Sequence, residues 1–245
     1  MYKRYNKKQD YSYCLGAYPT IELLLNKPQY AIEIIKHSSF GREQTKRRKT
    51  EPDGYDILLQ LADSNKVPVT INDKLISKLS PKENCYVIGV FRKYETVLHP
   101  TSKHVILVNP SNSGNLGTIL RTMLAFDVYD AAIIKPAVDI FSPQTVRSSM
   151  GSLFYLRFSM FSNIHHYLES CPNRHLYLMM TGGDNYLHQT QFADSYSVIF
   201  GNESSGLTAE YEKLGTKVTI DQSDKVDSLN LAVSVGITLH YLKNI

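Results

Sequence analysis

Three polar segments, each placed where a strand-like run gives out, hold the residue types that bind and orient a small polar substrate. The first is Val108-Asn-Pro-Ser-Asn-Ser-Gly-Asn-Leu-Gly-Thr-Ile-Leu-Arg-Thr, in which a strand turns through glycine directly into a helix. At about 100° per residue, Leu116, Ile119, Leu120 and Met123 share one helical face and supply a core contact. Gly114, Gly117, Thr118 and Arg121 fall on another, where small residues would leave an open surface beside one guanidinium suited to a phosphate or a ribose hydroxyl. An ordinary surface arginine with incidental glycines fits the same spacing. The second segment is Val198-Ile-Phe-Gly-Asn-Glu-Ser-Ser-Gly-Leu, a buried strand breaking into a glycine-bounded loop that brings in the carboxylate of Glu203. The third, Val218-Thr-Ile-Asp-Gln-Ser-Asp-Lys-Val-Asp-Ser-Leu-Asn, joins a strand to the last helix, with Ser228 as the expected cap and Asn230 in the first turn. Cys14, Cys85 and Cys171 lie far apart with no CxxC spacing, so neither a disulfide framework nor a zinc site is expected.

The elements that must position these segments follow from periodicity. Residues 104–245 read as strand 104–108, helix 115–126, strand 131–134, helix 161–169, and strands 175–180, 197–200 and 217–220. A final helix over 228–242 closes the chain, without an acidic residue, lysine or arginine in it. Strands alternating with helices favour a mostly parallel sheet covered on both faces. The last helix has Leu229, Ala232, Val233 and Gly236 on one apolar face and Leu231, Val235, Leu239 and Leu242 on another. It therefore reads as a central core helix, or as one packed on its own domain and on a second subunit. Residues 1–95 read as a smaller α/β unit: helix 21–25 capped by Thr20, strand 31–35, helix 55–62, strand 67–70, helix 73–79 and strand 85–91. Residues 38–54 form a basic loop within it, and 96–103 a linker.

The 245 residues carry a net charge of +4. That charge is uneven, with residues 1–100 holding 17 Lys/Arg against 11 Asp/Glu and the remainder 10 against 12. The excess lies in Lys3, Arg4, Lys7, Lys8 and the run Arg42, Lys46, Arg47, Arg48, Lys49. Such clusters suit a polyanion through counterion release, and they equally suit solvated loops. Tyr2, Tyr5, Tyr11 and Tyr13, interleaved with the first cluster, could stack on unpaired bases or pack on the domain surface. No apolar run is long enough to span a bilayer or follows the basic N-terminus as a signal peptide would, so a cytoplasmic setting without a membrane partner is expected. Gly114-x-x-Gly117, with Asp139 some twenty residues on, faintly suggests a dinucleotide site but lacks the three-glycine spacing.

The three segments, in this order, resemble the signature of the SpoU/TrmH family of S-adenosylmethionine-dependent RNA ribose 2′-O-methyltransferases, within the SPOUT superfamily. The matching stretches are Asn112-Ser-Gly-Asn-Leu-Gly-Thr-Ile-Leu-Arg-Thr, Phe200-Gly-Asn-Glu-Ser-Ser-Gly-Leu, and Ile220 followed by Ser228-Leu-Asn and an apolar helix. Ser148-Ser-Met-Gly-Ser-Leu-Phe is similar to the family's stretch between the first two. Residues 14–91 resemble its N-terminal, ribosomal-protein-like substrate-binding domain.

The resemblance implies a trefoil-knotted catalytic domain over 104–245, an RNA substrate-binding domain over 1–95, and a homodimer formed through the C-terminal domain. It implies S-adenosylmethionine as cofactor, no metal, and RNA as substrate, with ribosomal RNA favoured over transfer RNA. Arg121, Asn115, Glu203, Ser228 and Asn230 match the family's catalytic positions. Thr181, Gly182, Gly201, Ile220 and Leu229 match its cofactor-binding ones, and the run from Arg42 to Lys49 is the expected RNA contact. Because a guanidinium keeps its proton at physiological pH, Arg121 is better suited to holding phosphate and steadying a developing alkoxide than to acting as a base. Asp127 stands where the first motif commonly has Gly, and Asp221-Gln222 where the third commonly has Pro-Met. The competing expectations are a non-catalytic RNA-binding protein on the same scaffold and, more distantly, a dinucleotide-dependent oxidoreductase.

Overall fold

The computed structural model describes residues 2–41, 54–80 and 84–245. The basic run Arg42, Lys46, Arg47, Arg48 and Lys49 lies outside them. The chain divides into two compact units, one of residues 1–94 with 139–155, the other of 95–138 with 156–245.

In the first unit, strands β1 (Tyr11–Leu15), β2 (Ala31–Lys36), β3 (Val69–Ile71) and β4 (Val87–Arg92) form a sheet in the order β1-β4-β2-β3. Among the described residues only the β2–β3 pair of this sheet is parallel. Side-chain alternation splits the sheet into two apolar faces. Ile34 and Val87 pack with Leu24 of helix α1 (Ala17–Asn26) and Leu58 of α2 (Gly54–Ser64), while Ile35 and Ile88 pack with Ile76 of α3 (Asp73–Leu79). Thr20 is not the cap of α1. The cap position is Gly16, at φ 115°, and Thr20 sits inside the helix with its hydroxyl donating to the Gly16 carbonyl. The tyrosines pack rather than project: Tyr13 is buried, Tyr11 and Tyr2 meet edge to face, and Tyr5 donates to Asp139.

The second unit is built on strands β5 (His104–Val108), β6 (Asp130–Ile134), β7 (Arg157–Phe161), β8 (His175–Met179), β9 (Asn185–Tyr186), β10 (Tyr196–Phe200) and β11 (Thr216–Thr219). Every pairing is parallel, in the order β7-β6-β5-β10-β8-β11-β9. β6 and β10 are buried throughout, which explains why they read as continuous apolar runs. Helices α4 (Ser113–Ala125), α6 (Ile164–Ser170) and α7 (Leu231–Lys243) complete the unit, whereas α5 (Pro143–Ser148) clusters with the first unit. From β5 the chain moves outward through β6 to β7, then returns to place β10 beside β5 on its other side. The carboxyl ends of β5, β10 and β8 therefore meet where strand order reverses, the position at which open parallel sheets hold their ligands.

Several boundaries depart from expectation. Residues 96–103 are not a free linker. Thr96 donates to the Phe158 carbonyl and accepts from its amide, and the His99 amide donates to Asp130, lacing this stretch to the second unit. The expected helix 161–169 begins only at Ile164, capped by Asn163, and is preceded by a strand, β7, that is absent from the expected elements. Gly117 is buried with the apolar face of α4 rather than lying on an open one.

The amino ends of the strands are sealed by a buried polar chain. Arg174 donates to Ser197, and Tyr167 lies 2.7 Å from Ser197 and 2.8 Å from His104 Nδ1. His104 Nε2 lies 2.8 Å from the His99 carbonyl, which can only accept, so Nε2 carries the proton and Nδ1 accepts from Tyr167. Burial, with smaller contributions from Arg174 and Arg157, lowers the His104 pKa to about 4. An unfolded histidine protonates near 6.5, so the stability contributed by neutral His104 is complete above that pH and is lost as pH falls toward the folded value. The expected loss is about 2 kcal/mol by pH 5. Urea unfolding at pH 7 and pH 5 checks it, and His104→Gln should flatten the dependence.

Candidate active site

The loop after β10 is shaped by one asparagine and one glycine. Asn202 accepts from the Ser204 and Ser205 amides, and its main chain exchanges hydrogen bonds with Gly206, which sits at φ 64°. A side chain at Gly201 would collide with the main chain of Gly206 and Leu207, so only glycine lets the loop fold back here. The turn presents Glu203 to the start of α4. Its carboxylate accepts from the Ser111 hydroxyl (2.7 Å), the Ser111 and Asn112 amides (3.1 and 3.3 Å) and the Asn115 carboxamide (3.3 Å). Burial pushes the Glu203 carboxyl up, but its hydrogen bonds outweigh that and hold it below the usual carboxylate range.

The third segment joins this network through Asn230. Its carboxamide nitrogen donates to Asn115 (3.4 Å), while its oxygen accepts from the Ala232 amide (2.9 Å). Asn230, not Ser228, is thus the cap of α7, which starts at Leu231. At the other end of α4, Asp127 adopts φ 58°, a conformation that explains a preference for glycine there and that aspartate tolerates. Its carboxylate pairs with Lys243 at 2.7 Å, pinning the end of α4 to the end of α7.

A cavity of about 360 Å³ opens among the carboxyl ends of β8, β10 and β11. Of the expected cofactor residues, Thr181, Gly201, Ile220 and Leu229 line it, as do Glu203 and Ser228; Gly182 does not. Asn115 and Asn230 stand one hydrogen bond behind, on Glu203 and on each other. Arg121 is exposed, six residues beyond Asn115 and hence about 9 Å farther along the axis of α4, and does not line the cavity. Asp139, the carboxylate of the weak dinucleotide pattern, belongs to the first unit, where it bonds Tyr5 and Lys93.

The charge of the lining is one-sided. Glu203 and Asp227 contribute carboxylates, while among the described residues no lysine, arginine or histidine lines the cavity. Its volume lies within the roughly 300–1,000 Å³ of small-molecule sites. A pyrophosphate would find no cationic side chain among the described residues here, whereas a nucleoside carrying a cationic group would find carboxylates. Among the described residues no cluster of histidine, cysteine or carboxylate could hold a metal, and no helix is long and apolar enough to cross a membrane.

A family model described as the SpoU rRNA methylase family matches residues 102–240. The chain belongs to this family. Among relatives of this SpoU chain, an uncharacterized tRNA/rRNA methyltransferase from Synechocystis is 36% identical over 56% of the chain and 51% of the relative. A 23S rRNA (uridine-2′-O)-methyltransferase from Streptomyces viridochromogenes is 25% identical over 83% of the chain and 70% of the relative. The SpoU chain spans about half the length of the Synechocystis protein, and 60% of a Mycoplasma pneumoniae one that it also matches. The structure of the SpoU methyltransferase AviRb from Streptomyces viridochromogenes with AdoMet superposes with a TM-score of 0.79 at 18% identity, covering 98% of this chain and 93% of that one. An AdoMet-bound rRNA methyltransferase from Sinorhizobium meliloti gives 0.78 at 23% identity, covering 96% and 87%. At these identities the likeness is one of fold.

Sequence reasoning missed the parts played by Ser111, Asn112 and Asn202. Asn112 carried a signal, an asparagine just ahead of a helix, and it does cap α4 by accepting from the Gly114 and Asn115 amides. Gln222, one of the two residues that stand where the third motif commonly has Pro-Met, lines the cavity, and Asp221 does not. Glu203→Gln should cost about 1–2 kcal/mol of stability, since the amide loses the charged acceptor of Ser111 and Asn112. The lowered carboxyl contributes stability above the ordinary carboxylate range and loses it as pH falls through the folded value. Thermal unfolding between pH 3 and 7 should show that acid-side loss in the native chain and its attenuation in the variant.

Proposed function

We propose that this SpoU-family chain methylates a ribose 2′-hydroxyl of RNA with S-adenosylmethionine as donor, ribosomal RNA being favoured over transfer RNA. The observation that carries this reading is the cavity at the carboxyl ends of β8, β10 and β11, which among the described residues has two carboxylates and no cationic side chain in its lining and so suits a sulfonium nucleoside. The names of the relatives support the RNA substrate, and the N-terminal unit, with the basic run Arg42 to Lys49, is read as the substrate-recognition domain.

Main-chain groups of Thr181, Gly201, Ile220 and Leu229 would hold the cofactor, and Gly182, outside the lining, would shape the turn beside Thr181. When bound, it supplies a methyl group already activated as a sulfonium, so the protein has mainly to position and desolvate. Glu203 fixes Asn115 and the turn at residues 111–112 against the cavity mouth. Asn230 holds Asn115 from the other side, and Ser228 offers a hydroxyl at the lining. Arg121 is read as the group that grips the phosphate beside the target ribose and steadies the alkoxide as the 2′ proton departs.

Arg121 lies outside the cavity of its own chain, which favours a site completed by a second copy. Helix α7 leaves Val233 and Ile237 exposed, at 50% and 40%, on the face away from its buried Leu231, Val235 and Leu239. We assign that face to a homodimer, the domain over 104–245 to a trefoil-knotted catalytic fold, and the protein to the cytoplasm.

Mapping ribose methylation in cellular RNA with and without this protein tests the activity. One or more 2′-O-methyl marks should vanish in its absence, and an unchanged map would refute the assignment. Arg121→Ala should lower turnover by about 100-fold or more while leaving S-adenosylmethionine affinity near the native value. Loss of cofactor binding in a folded Arg121→Ala protein contradicts the role given to it. Sedimentation of the intact chain should give twice its 27.8 kDa mass.

A further inference from the structure

A second concavity lies across the Asn202–Gly206 turn from the cofactor cavity, at the carboxyl ends of β5, β6 and β7. It is about 210 Å³, and Asn202, Ser205 and Gly206 line both spaces, so a single loop partitions them. Its chemistry is opposite to that of its neighbour. Lys135, His165, Ser162, Asn163 and Thr208 contribute cationic, imidazole, hydroxyl and amide groups. Glu210 is the one carboxylate in the lining, and its Oε1 accepts from the Thr208 hydroxyl at 3.2 Å. Lys135 and His165 are exposed, and among the described residues no carboxylate forms an ion pair with Lys135.

The two sides of the partition therefore present separate binding chemistries. Among the described residues, one has carboxylates and no cation; the other has an ammonium with no ion-pair partner, backed by hydroxyl and amide groups. Its volume is below the roughly 300–1,000 Å³ of a typical small-molecule site, and so suits part of a chain passing through rather than a whole free ligand. Lys135 shares this groove with the partition residues Asn202, Ser205 and Gly206, so a phosphate on Lys135 would lie in the same groove as the partition.

We propose that this groove is a substrate subsite for single-stranded RNA, with Lys135 on a backbone phosphate and His165 beside it, seating the nucleotide next to the one that is methylated. This rests on the reading of the neighbouring cavity as the methyl-donor site. Lys135 and His165 act here as positioning residues. A lysine on a phosphate strengthens binding with little regard to base and adds about one unit to the salt slope.

The test is fluorescence anisotropy of the full chain with a labelled 12-nucleotide mixed-sequence oligoribonucleotide from 25 to 200 mM salt, with S-adenosylmethionine affinity measured separately by calorimetry. Lys135→Ala and His165→Ala should each weaken RNA binding about 3- to 10-fold, and the lysine variant should lower the salt slope by about one. Lys135→Arg should keep both near native values. On transcribed 23S rRNA the alanine variants should raise KM more than they lower kcat. Native RNA affinity and salt slope in both alanine variants would overturn the proposal. If wild-type protein fails to bind S-adenosylmethionine while the lysine and histidine effects on RNA persist, the donor-site reading fails and the RNA groove stands. Loss of cofactor binding in Lys135→Ala would count against the proposal, since it would place the residue in the other cavity.

Discussion

A single carboxylate ties together two loops that are far apart in the chain. Glu203 collects two main-chain amides, a hydroxyl and a carboxamide from residues 111–115, and these bonds outweigh the cost of its partial burial. They can form only because β10 lies beside β5 in the sheet, so that both loops leave from one edge. The third segment reaches the same place because Asn230 both caps α7 and donates to Asn115. Remove the carboxylate and the turn at 200–207 keeps its own fold, through Asn202 and Gly206, but loses its grip on α4.

The two edges of the seven-strand sheet carry opposite physical assignments. At the amino edge, His104, Asp130 and Ser197 are buried and satisfied, with Asp130 held by Arg157 and His104 kept neutral by burial. Closed polar networks of this kind favour one arrangement and leave nothing to bind a ligand. At the carboxyl edge the strands end in glycine- and asparagine-rich turns whose polar groups face open cavities. The rigid edge fixes where the strands begin, and the open edge then leaves a cavity lined by Glu203 and Asp227 and, across one loop, a groove lined by Lys135.

Much of this was legible in the sequence because the strands of a covered parallel sheet are apolar throughout, so β5, β6, β8 and β10 stood out with the turns that follow them. The parts that were not legible each have a physical cause. β7 (Arg157–Phe161) alternates with polar residues and runs almost directly into α6, so no strand is legible ahead of the helix expected from residue 161. Tyr11–Leu15 alternates as an edge strand does, yet its tyrosines also suited a base-stacking surface, and only the packing of Tyr13 and Tyr11 on the sheet decides it. Ser228 and Asn230 are both good helix caps, and the contact of Asn230 with Asn115, distant in the chain, selects the second. The separation of Arg121 from the cavity depends on the phase of α4 relative to strand ends that no local pattern encodes.

The reading of the carboxylate-lined cavity as a methyl-donor site is tested most directly by calorimetric titration of the intact protein with S-adenosylmethionine, using NAD as the anionic control. The electrostatics of the lining require saturable binding of S-adenosylmethionine at one site per chain and no measurable heat from NAD. Binding of NAD, or silence toward S-adenosylmethionine at millimolar concentration, would contradict the account.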